Sequence, residues 1–346
     1  MAETKIVIYL SKNALEEVAV CNDIYPNLHT IFKSHAILCV DMTDEELDIA
    51  LDDIEGDISQ FCLKNNIETY PLHSYFHSLL EDQSQIVNKP RSMFLLDISS
   101  AEAKELTDKY GVIVQSEDNI DDNVLQLLFR KGVDKGTTIQ GSSNGWQNLL
   151  KGLKFPPCNS LIISDNYLLK NENQGKIVGF ENLKMLLDTL LPEKLSTTFH
   201  LFIITPMPKK ISPEKADRLN EMLKTYIQTI RDYNFQVEFV FSNTIHSRKI
   251  ISNYFVVVCD KGFQLFHPIR KNEIYDNNEV CVTSILHDTP NSFGDTLLTI
   301  SAKDIESIRK ECINLREQIL NGVNDPTKKI LGDCGKDKTI QNRLIN

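Results

Sequence analysis

The stretch FHLFIITP (199–206), SPEKADRLNEMLKTYIQTI (212–230), FQVEFVF (235–241) decides the fold class. The first segment is a short apolar run rich in β-branched and aromatic residues, stopped by Pro206 and Pro208. In the second, Ser212 is a good N-cap and Pro213 suits the first helical position. Ala216, Leu219, Leu223, Tyr226, Ile227 and Ile230 then recur at three and four, one face of a helix. The third segment alternates as a strand does. A strand, a helix and a strand in this order predict an α/β layer with a largely parallel sheet.

The same rhythm continues outward. NSLIISD (159–165) predicts a strand and 179–190 a helix; KIISNYFVVVCD (249–260) predicts one nearly continuous strand closed by Gly262. The last helix is expected from about Ser301, with Ile305, Ile308, Cys312, Leu315 and Ile319 as its stripe, and Asn321-Gly322 as its stop. In the first half, KIVIYL (5–10), HAILCV (35–40), RSMFLLDI (91–98) and GVIVQ (111–115) are strand-like, and 43–55, 73–82 and 100–109 helix-like. The stretch GVDKGTTIQGSSNGW (132–146) has neither period. These features predict two α/β domains: an acidic one over 1–131, a linker region over 132–156, a second domain over 157–322 and a loosely held polar tail over 323–346.

The chain has 346 residues, 41% hydrophobic and 25% charged, an ordinary globular composition. No apolar run approaches the roughly 20 residues of a membrane span. The start, MAETKIVIYLSKN, is acidic and enters a strand at once, unlike a secretory signal. Eight cysteines with no C-x-x-C pair read as reduced core thiols, so a cytoplasmic protein is expected. The net charge of −11 is lopsided: residues 1–150 carry 11 Lys+Arg against 25 Asp+Glu, whereas 151–346 carry 26 against 23. An acidic whole argues against indiscriminate polyanion binding, while the second half retains enough cations to hold phosphate.

Thr244-Ile245-His246-Ser247-Arg248-Lys249-Ile250-Ile251-Ser252-Asn253 lies between two expected strands, where an α/β sheet presents side chains at a strand end. His-x-Arg, four residues and Asn resembles the His-x-Lys-x4-Asp signature of the phospholipase D superfamily. The preceding elements are similar too: a strand ending in Ser164-Asp165-Asn166-Tyr167, a helix, a strand, a long helix and the strand delivering the His motif. The resemblance covers about residues 157–266. It implies a phospholipase D-like fold that binds or hydrolyses a phosphodiester, with nucleic acid as the expected class, as in bacterial host-defence systems, with no metal and no cofactor. In that mechanism one imidazole attacks phosphorus and another protonates the leaving oxygen, while neighbouring cations neutralise the oxyanion. His246, Arg248 and Asn253 are thereby assigned to catalysis, and Lys249, Asp165 and Tyr167 to substrate binding. A single motif per chain implies a homodimer. Two departures weigh towards binding rather than turnover. Arg248 for Lys suits phosphate, but Asn253 for Asp removes the charge that would support an imidazolium. A non-catalytic binding or assembly module on the same fold is the alternative.

Other candidates have plainer explanations. His73 and His77 are four apart in HSYFH and could share a metal on a helix, but no third ligand is evident and a half-exposed helix face is expected. Asp97, with Asp41, Asp44, Glu45 and Asp48, could place Mg²⁺ between strand ends as in a metal-dependent nuclease, although most of these acids have the spacing of a solvated helix face. Cys158, in Pro-Pro-Cys-Asn, is the cysteine expected to be exposed, and Cys259 is expected to be inert. Trp146 is expected to pack at the domain junction rather than to stack on a base.

Overall fold

The computed structural model describes residues 5–20, 24–129, 131–133, 145–150, 153–208, 211–276, 278–287, 294–323 and 325–346. Its first half alternates β1 (Ile6–Ser11), α1 (Lys12–Val20), α2 (Pro26–His35), β2 (Ala36–Asp41), α3 (Asp44–Asp52), α4 (Asp57–Asn65), β3 (Glu68–Pro71), α5 (His73–Glu81), β4 (Ser92–Leu96), α6 (Ser100–Tyr110) and β5 (Ile113–Ser116). The five strands form one parallel sheet in the order β3-β2-β1-β4-β5. β4 is buried along its whole length and apolar from Met93 to Leu96, as suits a strand covered on both faces. Local chemistry sets the helix ends. Thr43 and Glu46 close a capping box on α3, and Gly111 ends α6 at φ +64, where Cβ-bearing residues are strained. The expected helix over 43–55 is α3, which stops at Asp52; α4 after Gly56 was not expected, and β3 is a half-exposed edge strand without an apolar run to announce it.

After the short helix α7 (Asp122–Gln126), the chain adds β6 (Lys131–Val133), α8 (Gly145–Leu149), β7 (Ser160–Asp165), the small ribbon β8 (Glu172–Asn173) and β9 (Lys176–Ile177), and α9 (Val178–Leu190). Then come β10 (Phe199–Thr205), α10 (Pro213–Ile230), β11 (Phe235–Phe241), β12 (Arg248–Ser252), β13 (Phe255–Cys259), β14 (Val280–Ser284), α11 (Leu297–Leu320) and β15 (Lys329–Gly332). The second sheet is mixed, in the order β15-β11-β10-β7-β12-β13-β14-β6. Its parallel centre is the unit anticipated from 199–241: β10 pairs with β11 from Phe199↔Phe235 to Thr205↔Phe241, and with β7 on its other side. The chain is therefore mixed α/β.

Four expectations need correction. The stretch 249–260 is not one strand but the hairpin β12–β13, with Asn253 and Tyr254 at the turn. Ser252 makes that turn: its Oγ accepts from the Tyr254 and Phe255 amides at 3.2 and 2.9 Å. Tyr254 then enters the core, where its hydroxyl donates to the Ser92 carbonyl and accepts from the Ile113 amide at 3.2 Å. The expected loose tail over 323–346 is held in place through its described residues 325–346. β15 pairs with β11, and Cys334, Ile340, Asn342, Leu344 and Ile345 are buried. Buried Glu238 anchors it by accepting from the Gln341 and Asn342 amides at 2.6 and 3.1 Å. The last helix starts at Leu297, capped by Thr296, rather than near Ser301. Finally β6, which begins at the last residue of the expected first unit and runs into the expected linker, pairs with β14 of the second sheet; most of that linker (134–144 and 151–152) lies outside the described residues.

Leu298, Ile305, Ile308, Cys312 and Leu315 of α11 are buried in one apolar cluster with Ile8 and Leu10 of β1 and with Ile162, Phe202 and Ile251 of the second sheet. The stripe thus docks on the chain's own sheets. Among the described residues, no helix is long and apolar enough to cross a membrane.

Candidate functional site at the carboxyl edge of the second sheet

β7, β10 and β11 run parallel, so their carboxyl ends form one edge, and β12 enters antiparallel beside β7 with Arg248 opposite Asp165. This edge is where open α/β sheets present side chains to ligands. Asp165, the last residue of β7, is completely buried. Its carboxylate accepts from the Tyr167 amide at 2.7 Å and the Phe263 amide at 2.8 Å, and its carbonyl accepts from the Thr205 hydroxyl at 2.7 Å. Gly262 must be glycine here: φ is +84, and a Cβ would come 2.6 Å from Asp165 Oδ1. Burial pushes the Asp165 carboxyl up to about 6, against the two amides and the Arg248 charge, which pull it down. Asp165 therefore holds the loop after β7 in shape, and does so from beneath the surface.

That loop presents Tyr167. Its ring carries the Arg248 guanidinium at 5.0 Å and the Lys170 ammonium at 4.7 Å from its centroid. Arg248 is half-buried; Nη1 donates to the Asp260 carbonyl, and Nε is buried without a hydrogen-bond partner. His246, in the loop between β11 and β12, is exposed and lies 2.9 Å from the Asn166 amide nitrogen through Nδ1. With Asn166 donating, Nδ1 is the acceptor and the ring proton sits on Nε2. In that tautomer the imidazole donates to an anion's oxygen and has no lone pair on Nε2 with which to attack phosphorus.

The loop is fixed from below by polar groups without a sequence signature. Glu311, buried on α11, accepts from the Ser242 hydroxyl at 2.5 Å and the Thr244 hydroxyl at 2.6 Å. Ser247 donates to Ser164 at 2.6 Å, tying β12 to β7.

His246, Arg248, Asp165 and Tyr167 are thus brought together, while the other two expected site residues are not. Lys249 pairs with Asp304 of α11 at 2.5 Å and ties β12 to that helix. Asn253 sits at the far end of β12, fully buried, donating to the Gly111 carbonyl at 3.1 Å and to Asn159 Oδ1 at 3.3 Å. It ties the β12–β13 turn to the end of α6 and to the residue before β7, away from the imidazole. Lys170, Asn166 and Glu311 were not singled out in the sequence. Asn166 is the middle residue of the visible Asp-x-Tyr signal and Lys170 lies three residues past it, but Glu311 lies 69 positions from Ser242 and no local pattern connects them.

Of the competing candidates, Cys158 is buried, contrary to expectation, and burial pushes its thiol up to about 12; Cys259 is raised well above its usual range by burial. The seven described cysteines are free thiols. Trp146 is buried against Phe266 and donates to Asn182 Oδ1 at 2.9 Å, a packing role. Asp44, Glu45 and Asp48 are exposed on α3. Among the described residues, no three His, Cys, Asp or Glu side chains converge on one point, so Asp97 is not joined there by the further carboxylates that a Mg²⁺ nuclease centre uses. No protein-family model matches the chain, and no curated protein matches it in sequence, so the chemistry of this edge rests on its own geometry.

Proposed function

We propose that the chain binds a phosphodiester, with nucleic acid as the favoured class, at the carboxyl edge of the second sheet. The observation that carries this reading is the convergence of His246, Arg248 and Lys170 around Tyr167. Two cations, Arg248 and Lys170, and the neutral Nε2 donor of His246 surround an aromatic ring, the combination that grips a phosphate and stacks on a neighbouring base. The phospholipase D-like motif and element order support the same ligand. Binding is favoured over hydrolysis because Asn253 does not support His246 and the Asn166 contact favours a protonated Nε2. A hydrolytic version would pair two copies in a homodimer, and a phospholipase D-like second domain beside a separate acidic first domain belongs to the same proposal. The free thiols fit a cytoplasmic setting.

The test is fluorescence anisotropy with a labelled single-stranded oligonucleotide at two salt concentrations. Arg248→Ala is expected to weaken binding about 10-fold or more and to reduce the salt slope by about one. Unchanged affinity in Arg248→Ala removes this site.

A second reading has one observation in its favour. A cleft of about 380 Å³ near the amino ends of β1 and β4 is lined by Lys5, Lys89, Arg91, Arg309 and Arg343 against the single carboxylate side chain of Glu306. If the anion binds there, Lys89→Ala lowers affinity and Arg248→Ala does not.

A further inference from the structure

The carboxyl edge of the first sheet holds a second cluster. The Leu72 amide donates to the Val40 carbonyl at 2.8 Å and the His73 amide to the Met42 carbonyl at 3.3 Å, so α5 begins beside the end of β2. His73 thereby reaches Asp41, the last residue of β2, and His73 Nδ1 lies 2.7 Å from Asp41 Oδ1. With the carboxylate as acceptor, Nδ1 carries the proton and Nε2 presents a lone pair. His77, one turn along the same helix face, brings its own Nε2 to 3.2 Å from His73 Nε2, with the rings at 89°. Both imidazoles are exposed.

We propose that His73 and His77 bind one divalent transition-metal ion through Nε2, with Asp41 as the outer carboxylate that orients His73. Two nitrogens 3.2 Å apart, each roughly 2.0–2.1 Å from a shared ion, subtend about 100° at it, between tetrahedral and octahedral values. The Asp41–His73 contact is the carboxylate–histidine arrangement that fixes the tautomer and raises the basicity of a metal-bound imidazole. Without a cation, the same two nitrogens must share a proton. The ligand type selects Zn²⁺, Ni²⁺ or Cu²⁺ over Mg²⁺ or Ca²⁺. No third His, Cys, Asp or Glu joins the pair among the described residues, so the remaining positions belong to water or an incoming ligand, and the ion exchanges readily. The acidic first half, 11 Lys+Arg against 25 Asp+Glu over residues 1–150, draws cations towards this edge.

Calorimetric titration of the full chain with Ni²⁺, with Mg²⁺ as control, tests the site. One Ni²⁺ per chain is expected for the unmodified protein, with affinity at least 10-fold weaker in His77→Ala and about 10-fold weaker in Asp41→Asn. His77 is exposed, and circular dichroism checks that its variant stays folded. Electron paramagnetic resonance of the Cu²⁺-loaded chain should show two imidazole nitrogens, reduced to one in His77→Ala. The proposal is overturned by no Ni²⁺ binding up to millimolar concentration, by His77→Ala binding as tightly as the parent, or by an unchanged Cu²⁺ spectrum.

Discussion

The two ends of β12 look alike in sequence and differ in physics. At its start, His246 is exposed and Arg248 half-buried, and they meet Tyr167, Lys170 and Asn166 on an open edge. At its finish, Asn253 has no exposed surface and is bonded to Gly111 and Asn159. Five strand residues at about 3.3 Å each put roughly 16 Å between the ends. A spacing that groups His, Arg and Asn along the chain therefore separates a ligand-facing group from a structural one. Linear motifs specify residue types, and the strand that carries them decides which types can act together.

The largest effect is expected at the buried end. Asn253→Ala should cost roughly 2–4 kcal/mol in urea unfolding, because it strips partners from the buried polar groups of Gly111 and Asn159. The folded variant should bind an oligonucleotide as the parent does. Lost binding with intact stability would mean that the two ends act as one site after all.

Asp165 sharpens the contrast through pH. Its carboxyl is raised from 3.8 to about 6 by burial, so the folded state holds the proton more tightly than the unfolded chain. Its favourable contribution is complete below pH 3.8 and is lost as pH rises through about 6, by up to about 3 kcal/mol. Glu238, raised to about 7 by burial, acts in the same sense, so the comparison with Asp165→Asn isolates the share at this edge. Unfolding curves between pH 4 and pH 7 should fall more steeply for the parent than for Asp165→Asn. Parallel curves would show that Asp165 does not titrate in this range.

Smaller effects belong to the open end. Arg248→Ala should lower oligonucleotide affinity about 10-fold, roughly 1.4 kcal/mol, and Lys170→Ala about threefold, with melting temperatures changed little in Lys170→Ala. A reversed order of the two would place the anion beside Lys170 and away from Arg248.

The α/β class was legible where burial on both faces left largely apolar strands, as in 160–165 and 199–205, and where 235–241 alternates, and α10 announced itself through Ser212, Pro213 and its stripe. The hairpin within 249–260 was hidden because Tyr254 is buried and keeps the run apolar across the turn. β15 and the packing of 333–345 were hidden because the segment is polar and owes its place to distant partners such as Glu238. At the candidate site, His246, Arg248, Asp165 and Tyr167 were visible as residue types. The role of Asp165 as a buried brace was not, since it depends on amides at Tyr167 and Phe263, the latter 98 positions away. His73 and His77 were likewise visible as a pair, but Asp41 joins them only through the β2–α5 contact.

Amide chemical-shift mapping of the isotope-labelled chain during titration with a short oligonucleotide locates the binding site residue by residue. Shifts are expected to concentrate at Asn166, Tyr167, Lys170, His246 and Arg248 and to leave Asn253 and Gly111 unmoved. Shifts centred on Asn253 and Gly111, or none around His246 and Arg248 while the oligonucleotide binds, would contradict binding at the carboxyl edge of the second sheet.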